Sequence, residues 1–79
     1  MTIQVYATLK DFYKKQFHVS EHIETVAGLR EKLLAMNPQA TDILSVCRFA
    51  VNDNFVENSY ILQPHDTISI IPPGSGGWL

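Results

Sequence analysis

Cysteine, clustered charge and long apolar runs are all scarce in this 79-residue chain. With one cysteine, Cys47, no internal disulfide can form. That suits a reducing compartment, and a cytoplasmic protein is expected. Three scattered histidines (His18, His22 and His65) and a lone thiol give no metal-ligand cluster. Six Lys and Arg against eight Asp and Glu leave a net charge of −2. Only Lys14 and Lys15 are adjacent, so the clustered cations that grip phosphate are missing and nucleic acid is not an expected partner. No apolar run approaches the ~20 residues that span a bilayer, so no membrane is expected either. No basic stretch leads into an apolar segment at the N-terminus, so no signal peptide is expected. Glycine is held back to the end, where Gly74, Gly76 and Gly77 supply three of the four.

What is present reads as one folded unit. A hydrophobic fraction of 46% is too high for disorder. A chain this short buries roughly 60–65% of its unfolded surface, enough for one modest core and too little for a large enclosed active site. Residues 1–71 are expected to form the domain and 72–79 a flexible tail.

From Thr2 to Lys10, Ile3, Val5, Ala7 and Leu9 alternate with polar neighbours, the period of a half-buried strand. Asp11 to Lys15 interrupts it as a loop or helical turn, with Phe12 tucked inward. Phe17 and Val19 alternate with His18 and Ser20, giving a second strand in an antiparallel hairpin. Thr25 is placed to cap a helix whose apolar stripe is Val26, Leu29 and Leu33, with Arg30, Glu31 and Lys32 mostly on the other face. Gly28 weakens its start, and Asn37-Pro38 ends it. Gln39 to Leu44 is irregular or a short second helix. Val46 to Val51 reads as a strand, Asn52-Asp53-Asn54 as a turn, and Phe55-Val56 as the returning strand. After the turn at Gln63-Pro64-His65-Asp66, Thr67 to Ile71 is the last strand. The order β-β-α-β-β-β predicts an α+β roll, one main helix packed across a mixed sheet.

Past Ile71 the pattern stops. Pro72-Pro73 ends strand pairing, because proline has no amide hydrogen. The glycines after it have nothing to pack, so the segment should project and stay mobile. From Pro72 to Gly77 it reaches about 20 Å, at ~3.3–3.6 Å per residue. Paired glycines suit a narrow cleft on another protein. Taken alone, a glycine-rich end is more often a frayed terminus.

The pattern around that ending changes the odds. Val5-Tyr6-Ala7, Thr25-Val26 with Leu29 and Leu33, Ala50-Val51-Asn52, Leu62, Asp66 and Ile68 precede Ile71-Pro72-Pro73-Gly74-Ser75-Gly76-Gly77. Together they resemble the small, sulfur-carrying subunit of molybdopterin synthase. The resemblance covers essentially the whole chain, and its most specific part is the Pro-Pro-x-Ser-Gly-Gly ending.

The resemblance implies a β-grasp, ubiquitin-like fold. It implies a ubiquitin-activating-like adenylating enzyme that uses ATP to activate the Gly77 carboxylate. A persulfide then displaces AMP, and a thiocarboxylate results. The tail, Pro72 to Gly76, would enter a channel in the large synthase subunit, and the Gly77 sulfur would be donated to a pyranopterin precursor. The carrier would hold no cofactor or metal, and its partners would supply the catalytic groups. Other pathways stay open: a sulfur carrier for thiamine or another product, or a ubiquitin-like modifier or interaction module.

Two features depart from the pattern. The turn before the last strand is His65-Asp66 where relatives usually have Gly-Asp. Trp78 and Leu79 follow Gly77, and an amide at Gly77 cannot be adenylated. A peptidase removes them, or the chain is a blocked precursor, or the extension is foreign to the natural protein, or the carrier role is lost.

Cys47 invites a catalytic reading, but a small apolar strand residue is the simpler one. The three histidines and Lys14-Lys15 are expected at the surface. Asp42, Asp53, Glu57 and Asp66 lie near turns and need no catalytic role. Phe49, Phe55 and Tyr60 are expected to split between the core and an exposed patch. A carrier docks through the sheet face beside its tail, so an exposed aromatic there would mark an interface.

Overall fold

Ile3 and Val5 face inward and Thr2 and Gln4 outward along β1 (Thr2–Val5). The computed structural model describes residues 1–74. The alternation of β1 is cut short at Ala7, whose φ of 52° lies in the left-handed region that a Cβ disfavours. The chain leaves the sheet there in a 3₁₀ turn, Ala7–Asp11. Leu9 is buried as expected, but from this turn and not from a strand.

Tyr13 takes the inward place expected of Phe12. Its hydroxyl donates to the Leu33 carbonyl at 2.5 Å, and its ring stacks on Phe17 at 6.1 Å, while Phe12 stays half-buried. The expected hairpin then forms. β2 (Gln16–His18) runs antiparallel to β1, with Ile3 opposite Phe17.

Thr25 caps α1 (Val26–Met36) by accepting a hydrogen bond from the Gly28 amide at 3.2 Å. Such a cap is worth about 1 kcal/mol. Val26, Leu29 and Leu33 are fully buried. The segment read as irregular or helical is a 3₁₀ turn, Pro38–Ala40, followed by α2 (Thr41–Val46). Val46 therefore ends a helix at 54% exposure and does not open a strand. β3 begins two residues later (Arg48–Val51) and β4 is Asn54–Val56. Asn52 and Asp53 join them at φ 53° and 68°, the left-handed pair of a tight hairpin that Asn and Asp tolerate.

The turn before β5 (Thr67–Ile71) is built around buried Asp66. Its carboxylate accepts from the Gln63 amide at 2.8 Å, and its own amide donates to the Gln63 carbonyl at 3.0 Å. Among the described non-glycine residues His65 is not one with positive φ, so this turn needs no glycine there.

The five strands form one sheet in the order β2-β1-β5-β3-β4. Only β1 and β5 run parallel; the other pairs are antiparallel. One face carries Ile3, Val5, Phe49, Val51, Ile68 and Ile70, which cluster with the stripe of α1. The α+β roll with a mixed sheet is thus as expected, with α2 added. No helix among the described residues is long and apolar enough to cross a membrane.

Candidate functional site

β5 lies between β1 and β3, so the segment that follows it leaves from the middle of the sheet. Pro72, read as the first tail residue, is fully buried. Pro73 and Gly74 are exposed. Gly74 turns at φ 74°, and a Cβ there would meet nothing within 4 Å. Glycine takes that positive φ without the steric cost a Cβ would bring. Ser75, Gly76 and Gly77, the residues on which the carrier chemistry was placed, lie outside the described residues, as do Trp78 and Leu79.

Beside the tail root lies the second face of the sheet. The register places Arg48 opposite Ile71, Ala50 opposite Ser69, and Phe55 opposite Ala50. These side chains share the face that α1 does not cover. Phe55 is 48% exposed, and the Arg48 guanidinium sits 3.8 Å from its ring centroid. Such a contact contributes about 0.5–1 kcal/mol at an exposed site. Of the three aromatics left undecided by sequence, Phe49 is core, Tyr60 is half-buried, and Phe55 is the exposed one.

Away from this face, little points to chemistry. Among the described residues no three His, Cys, Asp or Glu side chains come together as a metal site. His18, His22 and His65 are exposed, as expected. His18, Ser20, Glu21 and His22 line one cleft of about 260 Å³ at the opposite end of the sheet. Glu21 there is paired with Lys32.

Cys47 sits between α2 and β3, not within a strand, and is buried. Its thiol donates to the Ile43 carbonyl at 3.1 Å. Burial pushes the thiol up to about 11, against the opposing pull of Arg30. The thiolate is the reactive form, so Cys47 is inert near neutrality. The native chain is expected to resist iodoacetamide at about pH 8 and to react once unfolded. Because the folded thiol keeps its proton longer than the unfolded one, its stabilisation is complete below pH 9.0 and is lost as pH rises toward about 11. Burial also raises the Tyr13 hydroxyl, which adds to the same alkaline loss. Urea midpoints measured across that range should fall; a flat profile would contradict the assignment.

Arg30 was expected on the outer face of α1 and turns inward instead. It donates to the Leu44 and Cys47 carbonyls and to Asn58, and lies 4.5 Å from the Phe49 centroid. It thereby caps the end of α2 and ties both helices to the loop before β5. Its position four residues after Val26, at the border of the apolar stripe, was the available signal.

A sequence model of the ThiS family matches residues 3–77. The chain belongs to the ThiS family. The match stops at Gly77, so Trp78 and Leu79 fall beyond the family pattern. SAMP1 from Haloferax volcanii superposes with a TM-score of 0.77 at 16% identity, covering 96% of this chain and 97% of that one. At that identity the likeness is one of fold, and it makes this roll a ubiquitin-like β-grasp. A chain in the complex of subunits 1 and 2 of the molybdopterin-converting factor from Helicobacter pylori superposes with a TM-score of 0.69 at 26% identity, over 96% of both chains. The fold is thus that of the family's ubiquitin-like sulfur carriers, with Pro72 buried directly after the central strand.

Proposed function

We propose that the chain is the sulfur-carrier subunit of a molybdopterin synthase, loaded at Gly77. The observation that carries this reading is the ending Pro72-Pro73-Gly74-Ser75-Gly76-Gly77 at the exit of β5, with the family match running through Gly77.

A peptidase first hydrolyses the Gly77–Trp78 bond, and water supplies the new carboxylate oxygen. An adenylating enzyme joins that carboxylate to AMP from ATP, releasing pyrophosphate. A persulfide attacks the activated carbonyl and AMP departs, leaving an acyl disulfide. A thiol then reduces the S–S bond, giving the Gly77 thiocarboxylate and a new disulfide on the reductant. The large synthase subunit receives the tail, and the sulfur attacks the pyranopterin precursor. In this scheme the carrier contributes a tethered, oriented reagent, and the partners contribute acid, base and nucleotide chemistry. The Phe55–Arg48–Ile71 face beside the tail root is the docking surface, an aromatic and an arginine being common anchors of interfaces.

The likeness to a molybdopterin-converting factor chain supports this pathway over the thiamine one. Intact-mass measurement on protein from its own cells tests the proposal. The expected species ends at Gly77 and is heavier by the difference between sulfur and oxygen. A chain that keeps Trp78 under every growth condition overturns it, and lysine-linked adducts would favour a protein modifier instead.

A further inference from the structure

The outer edge of β2 borders a groove that the carrier scheme does not use. β2 is an end strand of the sheet, paired with β1 alone. Met1 exchanges two hydrogen bonds with Val19, each 2.9 Å, and the Val5 amide donates to the Lys15 carbonyl at 3.0 Å. Antiparallel pairs alternate, so Phe17 bonds toward Ile3, and the main-chain groups of Gln16 and His18 point away from β1. Phe17 shares the sheet face of Ile3, the side that α1 covers. Between it and the end of α1 runs a groove of about 390 Å³, lined by Phe12, Tyr13, Phe17 and Met36 and by Lys14 and His18. Its walls are held in place. The Asn37 side-chain amide donates to the Phe12 carbonyl at 3.0 Å, and Tyr13 is fixed by Leu33 and Phe17.

Charge says what fits there. The lining contains no carboxylate. Three of the six Lys and Arg, namely Lys10, Lys14 and Lys15, fall with one acid, Asp11, just before β2, so this stretch is +2 in a chain of net −2. All three lysines are exposed, and among the described residues none is in an ion pair. We propose that the β2 edge and its groove are a second docking site, which takes an extended acidic and apolar peptide segment of a partner as a further strand beside β2. The added strand bonds its main chain to Gln16 and His18. Every second side chain lies over Phe17 and Met36, and neighbouring carboxylates meet Lys14. A second copy of this chain fits less well, because two β2 edges would set two basic loops against each other. β1 separates β2 from β5, and Phe55 lies on the other face, so a peptide here leaves the tail root and Phe55 free.

NMR titration of the isotope-labelled full chain with acetyl-Asp-Val-Ile-Val-Asp-Glu-amide tests this. Saturable shifts are expected at Gln16, Phe17, His18 and Met36, with slower hydrogen exchange at the Gln16 and His18 amides. Lys14→Glu and Met36→Gln, both surface changes, should each weaken binding about five- to tenfold, the scale of one anchor contact. Lysines in place of the peptide's acids, or N-methyl groups on its edge-facing amides, should abolish saturation. No saturable shift, shifts confined to Phe55 and Ile71, or equal binding of the lysine or N-methyl peptide overturns the proposal. Concentration-dependent shifts at β2 without peptide overturn it too, since a second copy would then occupy the edge. The titration involves no sulfur transfer, so this proposal and the carrier reading fail separately.

Discussion

A chain ending at Gly77 and carrying Gly76→Val is expected to fold normally and to deliver sulfur about a hundredfold more slowly, the scale of loss from a misplacement of ~1 Å at a reacting centre. The expectation follows from where packing ends. Among the described residues Pro72 is the last buried side chain, and Pro73 and Gly74 are exposed. The buried cluster that sets stability is drawn from residues between Met1 and Ile70, so a change at Gly76 is expected to leave it intact. In the carrier scheme, however, the tail passes through a channel fitted to backbone and Cα hydrogens. A branched side chain one residue from the reacting carbonyl moves that carbonyl or bars entry. Urea midpoints should match those of the unsubstituted chain, while single-turnover transfer to the large subunit should slow. Unchanged transfer would mean that the glycine pair is not read by a narrow channel. A lowered midpoint would mean that the tail packs on the domain even after cleavage.

The elements legible in the sequence are those fixed by local chemistry. Thr25 caps α1 because its hydroxyl reaches an amide three residues on. Asn52-Asp53 turns the chain because those side chains tolerate positive φ. β5 was readable from Ile68 and Ile70 alternating with polar partners. The errors lie where local and long-range demands diverge. Leu9 continues the period of β1, yet Ala7 breaks the strand, and the period persists only because a 3₁₀ turn also buries Leu9. Val46 is β-branched but belongs to α2, whose last turn is tied down by Arg30, a residue from another helix. No local pattern reveals that clasp. Phe49 and Phe55 look alike in sequence, and only the register, with Phe49 opposite Ile70 and Phe55 opposite Ala50, assigns them to opposite faces. The candidate site divides differently: its Gly-Gly ending is read from the residues alone, whereas the Phe55–Arg48–Ile71 face beside the tail root exists only once β3, β4 and β5 are paired.

That pairing underlies a second large effect, the contrast between Phe49→Ala and Phe55→Ala. Phe49 is 1% exposed, sits opposite both Val56 and Ile70, and carries the Arg30 guanidinium against its ring. Removing a buried phenylalanine ring costs about 3–5 kcal/mol. A domain of this length has about 4–12 kcal/mol of stability in all, at 0.05–0.15 kcal/mol per residue. Phe49→Ala therefore removes a large share of the total. The loss is sharpened because Arg30 Nε is already buried without a hydrogen-bond partner and would border the new cavity. Phe55→Ala removes a half-exposed ring and should cost less than about 1 kcal/mol. Circular-dichroism urea titrations of both variants measure the difference, and equal losses would show that the face assignment is wrong. The consequence reaches function through β5. Ile70 packs opposite Phe49, and the same strand carries Ile71 and Pro72 to the tail root. In the carrier scheme, loss of Phe49 should loosen the strand from which the tail is presented, while loss of Phe55 should leave that strand intact and weaken only what docks beside it.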